Sequence, residues 1–165
     1  MAQTRVDGLT IRAATETDTG LILSFIKDLA VYEKLSHEVV ATEELLKKTL
    51  FEGRRVAEVL IADYQAEPAG FALFFYNFST FLGRPGIYIE DLYIRPHLWG
   101  KGIGKSLLAY IAHLAKGRGC GRVEWRVLDW NQPAIEFYQS LGAKPMDEWT
   151  VYRLTGDALE EMSAI

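Results

Sequence analysis

Residues 94–108 read Ile94-Arg95-Pro96-His97-Leu98-Trp99-Gly100-Lys101-Gly102-Ile103-Gly104-Lys105-Ser106-Leu107-Leu108. The stretch predicts the end of a strand, a glycine-rich turn and an amphipathic helix, because Ile103, Leu107 and Leu108 recur at helical spacing. Such a turn directs several backbone N–H groups at one point, where the helix dipole adds about half a positive charge. We therefore expect this turn to bind a phosphate group.

Two common phosphate-binding motifs do not fit this stretch. A P-loop ends in Gly-Lys-Ser, as this stretch does from Gly104, but it needs another glycine where this chain has Trp99. The dinucleotide motif G-x-G-x-x-G would need a third glycine at Lys105 or Leu107. Both motifs are excluded, and a helix start that binds no ligand stays open as the alternative.

The same stretch resembles the acetyl-CoA loop of the GNAT N-acetyltransferase superfamily, [QR]-x-x-G-x-[GA]. In this alignment Gly102 and Gly104 take the two glycine positions, and Trp99 replaces the usual Gln or Arg. The resemblance implies that backbone amides of the loop bind the pyrophosphate of acetyl-CoA. The residues that supply these amides are Gly100, Lys101, Gly102, Ile103, Gly104 and Lys105.

The composition is that of a globular protein, and we expect a single domain over residues 1–165 in the cytoplasm. The chain has 165 residues, of which 49% are hydrophobic and 24% are charged, and its net charge is −4. The negative charge argues against a nucleic-acid surface, and the lack of a long apolar run or signal-like segment argues against a membrane partner. One cysteine and three scattered histidines predict no disulfide framework and no metal site.

Periodicity and turn residues predict the order β-α-α-β-β-β-α-β-α-β, an α/β fold with a mixed central sheet flanked by helices. The predicted strands are residues 9–13, 56–64, 69–78, 87–94, 123–127 and 150–154. The predicted helices begin after caps at Thr15, Thr42 and Asn131 and at the glycine turn, and they end near residues 35, 50, 142 and 117. This order matches the GNAT fold, so the resemblance covers nearly the whole chain.

The strand before the glycine turn changes its apolar phase from odd to even positions between Ile89 and Leu92. A change of parity predicts one extra residue near Glu90-Asp91, as in a β-bulge, and an unbulged strand with two solvated carboxylates is the alternative. In the GNAT fold the central strand splits from its neighbour at such a bulge, and pantetheine pairs with the exposed edge. The residues that the resemblance implies for this contact are Leu92, Tyr93 and Ile94.

Amine acetylation moves two protons, and two residues are candidates to handle them. The ammonium loses a proton before it attacks the thioester, and the departing thiolate gains one. Glu90 would accept the first proton, directly or through water, and the phenol of Tyr138, protonated at neutral pH, would supply the second. An ordinary surface carboxylate and a tyrosine packed in the core are the structural alternatives.

A second resemblance supports the choice of Tyr138. Residues 131–138, followed by Gly142-Ala143, are similar to the second GNAT signature, N-x-x-[SA]-[IL]-x-[FL]-Y. In that signature the tyrosine is the proton donor, and Asn131 and Ala134 would contact the cofactor. The resemblance implies acetyl-CoA as cosubstrate.

Four further segments resemble one branch of the superfamily, the diamine (spermidine/spermine N1-) acetyltransferases and their thialysine-acetylating relatives. They are residues 11–15, 26–33, 89–93 and 130–133. The branch implies a homodimer and an amine site, and paired carboxylates suit an acceptor with more than one ammonium. The residues implied for this site are Tyr32, Glu33, Glu90, Asp91, Glu124, Trp125 and Arg126. For Tyr32-Glu33 the polar end of a surface helix is the alternative.

The acceptor itself stays open at this point. Polyamine enzymes of the branch carry an acidic residue and a tryptophan where this chain has Ser79-Thr80-Phe81-Leu82-Gly83, which favours shorter diamines or lysine-like amines. We expect the transfer of acetyl from acetyl-CoA to a primary amine of a small cationic molecule. The alternatives are a protein or peptide amine as acceptor and a non-catalytic acyl-CoA-binding module.

Overall fold

A computed structural model describes residues 2–3 and 5–165, which fall into two compact units, Met1–Arg126 and Val127–Ile165. The β-sheet of the described residues and the first three α-helices belong to the first unit, and two further α-helices belong to the second. Within the described residues, none of the helices combines the length and the apolar character needed to cross a bilayer.

The sheet of the first unit has six strands in sequential order. Neighbouring strands are antiparallel except β5 and β6, which are parallel, so the sheet is mixed as predicted. The strands are β1 (Ala2–Gln3), β2 (Leu9–Ala13), β3 (Glu58–Tyr64), β4 (Glu67–Ser79), β5 (Arg84–Ile94) and β6 (Val123–Trp125). Five of them correspond to predicted strands, and β1 was not predicted.

The helices of the first unit begin where capping residues predict. They are α1 (Thr19–Tyr32), α2 (Glu43–Leu50) and α3 (Ile103–Gly117). Thr15 and Asp18 form the predicted capping box around a 3₁₀ turn that leads into α1. Thr42 Oγ1 accepts a hydrogen bond from the Leu45 N–H at 3.2 Å at the start of α2. These two predicted starts are confirmed.

Helices cover both faces of the sheet. On one face α1 and α2 pack over the buried cluster Ile22, Phe25, Leu50, Val59, Ile61, Phe71 and Tyr93. Because side chains alternate across a strand, the buried residues Leu60, Ala72 and Phe74 point to the other face. There α3 buries its own apolar stripe of Ile103, Leu107, Leu108, Ile111 and Ala115. The sheet is therefore the middle layer of three.

One extra residue interrupts β5 at Glu90. Leu73 of β4 lies opposite Asp91 and the next residue, Phe74, lies opposite Ile89, so Glu90 has no counterpart. The predicted bulge is confirmed, and the unbulged alternative is wrong.

Beyond the bulge, β4 and β5 approach closely at Gly70, where a Cβ would overlap the carbonyl oxygen of Tyr93. Since every other residue carries that Cβ, this position of the strand pair requires glycine.

The second unit contains α4 (Gln132–Ser140) and α5 (Gly156–Ser163). Asn131 Oδ1 accepts a hydrogen bond from the Ala134 N–H at 3.4 Å, which confirms the predicted cap of α4. The strand predicted over residues 150–154 is wrong, because these residues have no regular secondary structure. Val151 and Tyr152 are exposed, and no described strand pairs with them. A segment of strand-forming residues becomes a strand only where a neighbouring edge accepts its hydrogen bonds.

Candidate active site

The side of β5 that faces β6 opens at the bulge. Parallel pairing runs from Ile87 and Val123 to Ile89 and Trp125, where it stops, although β5 continues to Ile94. In the part of the chain that the structure describes, no other strand pairs with this side of β5 beyond Ile89. The central strand is therefore bulged and splayed, as predicted.

Leu92 and Ile94 direct their backbone groups to this open edge. The N–H of Arg95 donates to the carbonyl oxygen of Ala69 in β4, and consecutive residues of a strand face opposite sides. Arg95 and Tyr93 therefore face β4, and the Tyr93 side chain is buried in the core. Of the three residues predicted to contact pantetheine, Tyr93 directs its backbone groups to β4. Leu92 directs its N–H and C=O groups to the open edge, and Ile94 directs its N–H there.

Trp99 connects this edge to α1. Its indole Nε1–H donates to the carbonyl oxygen of Ile94 at 2.7 Å. Its ring meets the ring of Tyr32 edge-on, with 5.5 Å between the centroids. The tryptophan at the usual Gln or Arg position thus joins the end of β5 to the last residue of α1. Sequence reasoning missed this contact, because its partners belong to elements that meet only in the fold.

The turn between β5 and α3 presents backbone amides. Gly100 and Gly102 have φ angles of 77° and 80°, in the left-handed region that favours glycine. Gly102 precedes α3 without a side-chain cap, and the Ser106 N–H donates to its carbonyl oxygen. The amides of residues 103–105 therefore lack partners within the helix, which is the arrangement that binds anions. Among the predicted loop side chains, that of Ile103 is buried, that of Lys105 is exposed, and that of Lys101 lies 5.6 Å from the Tyr64 ring.

Three carboxylates meet beside the bulge. Glu33 follows the last residue of α1, and Glu90 and Asp91 form the bulge itself. Burial raises the pKa of the Asp91 carboxyl to about 6, and the negative charges of Glu90 and Glu33 add to this rise. Burial also raises the pKa of the Glu33 carboxyl. The fold thus brings together three of the four carboxylates that were predicted to line the amine site, and we call these three the acidic cluster.

Arg126, one residue beyond β6, adds a positive charge to the acidic cluster. Its Nη2 donates to Oε1 of Glu90 at 3.1 Å, and both side chains are partly exposed. The guanidinium also opposes the effect of burial on the pKa of Glu33 and of Asp91, so its field reaches all three carboxylates. Sequence analysis placed Arg126 near the amine site but did not predict this ion pair.

Tyr88 belongs to the same face, although it was not among the predicted site residues. It lies opposite Phe75 of β4, and Asp91 lies opposite Leu73, so both point to one side of the sheet. Burial raises the pKa of its phenol, and the positive charge of Arg126 opposes that rise. Counting parity across the predicted bulge would have placed Tyr88 on this face.

Of the two β6 residues that were predicted to line the amine site, only Glu124 lies near the acidic cluster. Glu124 pairs with Tyr88, and its Oε2 accepts a hydrogen bond from Asn77 Nδ2 at 2.9 Å, so it lies at the border of the acidic cluster. Trp125 pairs with Ile89, one position on, and its side chain therefore points to the opposite face of the sheet. The structure separates Trp125 from the acidic cluster because neighbouring residues of a strand face opposite ways.

The remaining predicted residues lie on α4 of the second unit. Tyr138 is half-buried near the end of the helix, with its ring centroid 5.5 Å from that of Phe137. Asn131 is buried and caps the helix, and Ala134 lies in its first turn. The roles of Tyr138 as proton donor and of Asn131 and Ala134 as cofactor contacts stay predictions.

The raised pKa of Asp91 leads to a prediction about stability. Replacing Asp91 with asparagine is expected to raise the melting temperature near neutral pH but not in acid. The unfolded carboxyl has its ordinary pKa of 3.8, whereas burial and like charge raise the pKa of the folded carboxyl to about 6. The folded wild-type protein therefore holds this proton more tightly, and its stability falls as the pH rises through that interval.

Asparagine has no such proton, so the difference in melting temperature should grow from zero near about pH 4 to its maximum above about pH 7. Thermal unfolding of both proteins across this range measures it. If the difference in melting temperature were equal at both ends of the pH range, the substitution would act through packing rather than through charge.

A model of the acetyltransferase (GNAT) family matches residues 26–143, which include the acidic cluster, the open edge of β5, the glycine turn and α4. The chain belongs to the GNAT acetyltransferase family. As a GNAT member with N-acetyltransferases among its relatives, it is an N-acetyltransferase. In the described part of this GNAT chain, no group of three or more His, Cys, Asp or Glu side chains is arranged to hold a metal ion.

Two relatives illustrate the similarity of this GNAT chain to curated enzymes. It is 36% identical to L-ornithine N5-acetyltransferase of Arabidopsis thaliana, over 94% of this chain and 88% of that protein. It is 38% identical to thialysine N-epsilon-acetyltransferase of Bos taurus, over 93% of this chain and 96% of that protein.

Solved structures share the fold of this GNAT chain. An integron cassette protein from the mobile metagenome of V. cholerae superposes with a TM-score of 0.79 at 26% identity, over 94% of this chain and 98% of that one. An aminoglycoside acetyltransferase from an uncultured soil metagenomic sample superposes with a TM-score of 0.75 at 20% identity, over 90% of this chain and 98% of that one.

Proposed function

We propose that this chain transfers acetyl from acetyl-CoA to a primary amine of a small cationic molecule, which is a diamine, a polyamine or a lysine-like amino acid such as thialysine. The acidic cluster beside the open edge of β5 carries this proposal, because Glu33, Glu90 and Asp91 together attract a molecule with more than one ammonium. The similarity to enzymes named for ornithine and thialysine supports it.

The glycine turn and the edge of β5 fit acetyl-CoA, which supplies an acetyl group activated as a thioester. The amides of residues 103–105, at the positive end of the α3 dipole, would hold its pyrophosphate. The backbone of Leu92 and Ile94 would pair with the pantetheine arm, as a strand edge pairs with an extended chain. Asn131 and Ala134 are further predicted contacts.

Two side chains would transfer protons, and two others would balance the charge of the acceptor. Glu90, partly exposed at the bulge, would accept the proton that the ammonium loses, directly or through water. Asp91 and Glu33 would balance the second ammonium of the acceptor. Tyr138 would donate the proton that the leaving thiolate gains, since a phenol is protonated at neutral pH.

The proposal is tested by measuring CoA thiol release from acetyl-CoA with five acceptors: putrescine, spermidine, thialysine, lysine and a short lysine peptide. Turnover with at least one of the four small amines is the expected result. Turnover with the peptide alone would replace the small-molecule acceptor by a protein amine. No turnover in a protein that still binds acetyl-CoA would favour a binding module and contradict the proposal.

We also propose that residues 1–165 work as one cytoplasmic domain and that two copies form a homodimer, as the diamine acetyltransferase branch implies. Light scattering coupled to size exclusion measures the mass in solution. A monomer at the concentrations of the activity assay would contradict the dimer and leave the proposed reaction unaffected.

A further inference from the structure

One positive side chain faces the acidic cluster that we assign to the acceptor amine. We propose that Arg126 binds a carboxylate of the acceptor, so that the acceptor is an amino acid with a side-chain ammonium rather than a diamine or a polyamine. This inference rests on the proposed function and narrows its substrate class. It makes Arg126 a specificity-determining residue of the amine site.

The geometry of Arg126 leaves room for a further carboxylate. A guanidinium has five N–H donors in a planar fork. The described residues show one hydrogen bond of this guanidinium, in which Nη2 donates to Oε1 of Glu90 at 3.1 Å. The Arg126 side chain keeps 46% of its surface exposed, so solvent and ligands reach the remaining donors. Planar carboxylates are the preferred partners of this fork.

The charges of the site favour an amino acid over a polycation. Ornithine, lysine and thialysine each carry two ammonium groups and one carboxylate at neutral pH, and the site offers three carboxylates and one guanidinium. Each charge of such a molecule then meets an opposite charge. A polyamine would instead place its additional ammonium groups in the field of Arg126, and like charges at short distance repel each other.

The test compares acceptors that differ only in the carboxylate: lysine with cadaverine, and ornithine with putrescine. Wild-type protein is expected to have the higher kcat/KM for the amino acid of each pair. In Arg126→Met, kcat/KM for lysine and ornithine should fall by about 10- to 100-fold, mainly through KM, because a charged hydrogen-bond partner is lost. The values for cadaverine and putrescine should change by a smaller factor, so that the ratio of amino acid to diamine falls in each pair.

The ratio within each pair separates this role from the ion pair with Glu90. Loss of Arg126 also changes Glu90, but that change acts on both acceptors of a pair and cancels in the ratio. Arg84→Met is the matched control, because it removes one exposed arginine at the opposite end of β5 and should leave the ratio unchanged. Lysinamide, which keeps both ammonium groups but lacks the carboxylate, should behave like cadaverine.

Two outcomes would overturn this inference and leave the proposed function standing. The first is a higher kcat/KM of the wild-type protein for the diamine of each pair, which is measured without any variant. The other is equal loss for both members of a pair in Arg126→Met, which would restrict Arg126 to holding Glu90. Wild-type protein that acetylates neither these four amines nor spermidine nor thialysine would overturn the proposed function, and this inference with it.

Discussion

Replacement of Tyr138 by phenylalanine is expected to lower kcat by about 10²- to 10⁴-fold, the usual contribution of a positioned general acid or base. Phenylalanine keeps the ring that packs beside Phe137 and removes only the hydroxyl. The helix and its cap should therefore stay intact, and the Kd for acetyl-CoA should change little. Steady-state kinetics and a direct titration with acetyl-CoA measure the two quantities.

Tyr152→Phe provides the matched control, because it makes the same chemical change at an exposed tyrosine of the same unit. This variant should keep wild-type kcat. If Tyr138→Phe also retains full turnover, the phenol has no part in proton transfer. If instead it loses acetyl-CoA binding and turnover together, Tyr138 acts in cofactor binding rather than as an acid.

The second large effect is expected from Glu90→Gln, which should lower kcat by about 10²-fold or more near neutral pH, because the variant cannot take the ammonium proton. Glutamine keeps an oxygen that accepts the hydrogen bond from Arg126, so the local structure should persist. The deficit should shrink as the pH rises toward about 10, where a growing share of the acceptor is already a neutral amine. A pH profile of kcat/KM for both proteins measures this.

Asp91→Asn makes the corresponding change at the next residue and discriminates between the two carboxylates. If Glu90 accepts the proton, Asp91→Asn should raise KM for the acceptor more than it lowers kcat, because it removes a counter-charge for the second ammonium. If Asp91→Asn instead shows the larger loss of kcat with recovery at high pH, Asp91 is the proton acceptor. Glu67→Gln, at an exposed position at the start of β4, controls for the lost charge.

The sequence alone was sufficient for the elements that local chemistry defines. The change of apolar phase around Glu90 located the bulge, since side chains alternate with a strict period of two along a strand. The caps at Thr42 and Asn131 predicted helix starts because their side-chain oxygens accept the hydrogen bonds of nearby amides. The glycines at 100 and 102 take left-handed φ angles, which glycine adopts without strain.

The strand predicted over residues 150–154 is absent for a physical reason. A segment of strand-forming residues is only a potential strand, since its hydrogen bonds need a second strand from elsewhere in the chain. Val151 and Tyr152 are residue types that strands favour, yet they stay exposed and have no regular secondary structure in the second unit. The residue types therefore predicted the capacity to form a strand, and the fold decided whether a partner was present.

The amino-acid sequence determined the bulge, the glycine turn and the capped helix starts, because each depends on residues that are neighbours in the chain. Only the tertiary structure decided the burial and the charge contacts of the proposed amine site. The pKa of Asp91 depends on burial and on the charge of Glu33, the ion pair of Glu90 depends on Arg126 beyond β6, and Trp99 meets the end of α1. Burial and charge at these groups arise from surfaces that are distant in sequence and come into contact only on folding.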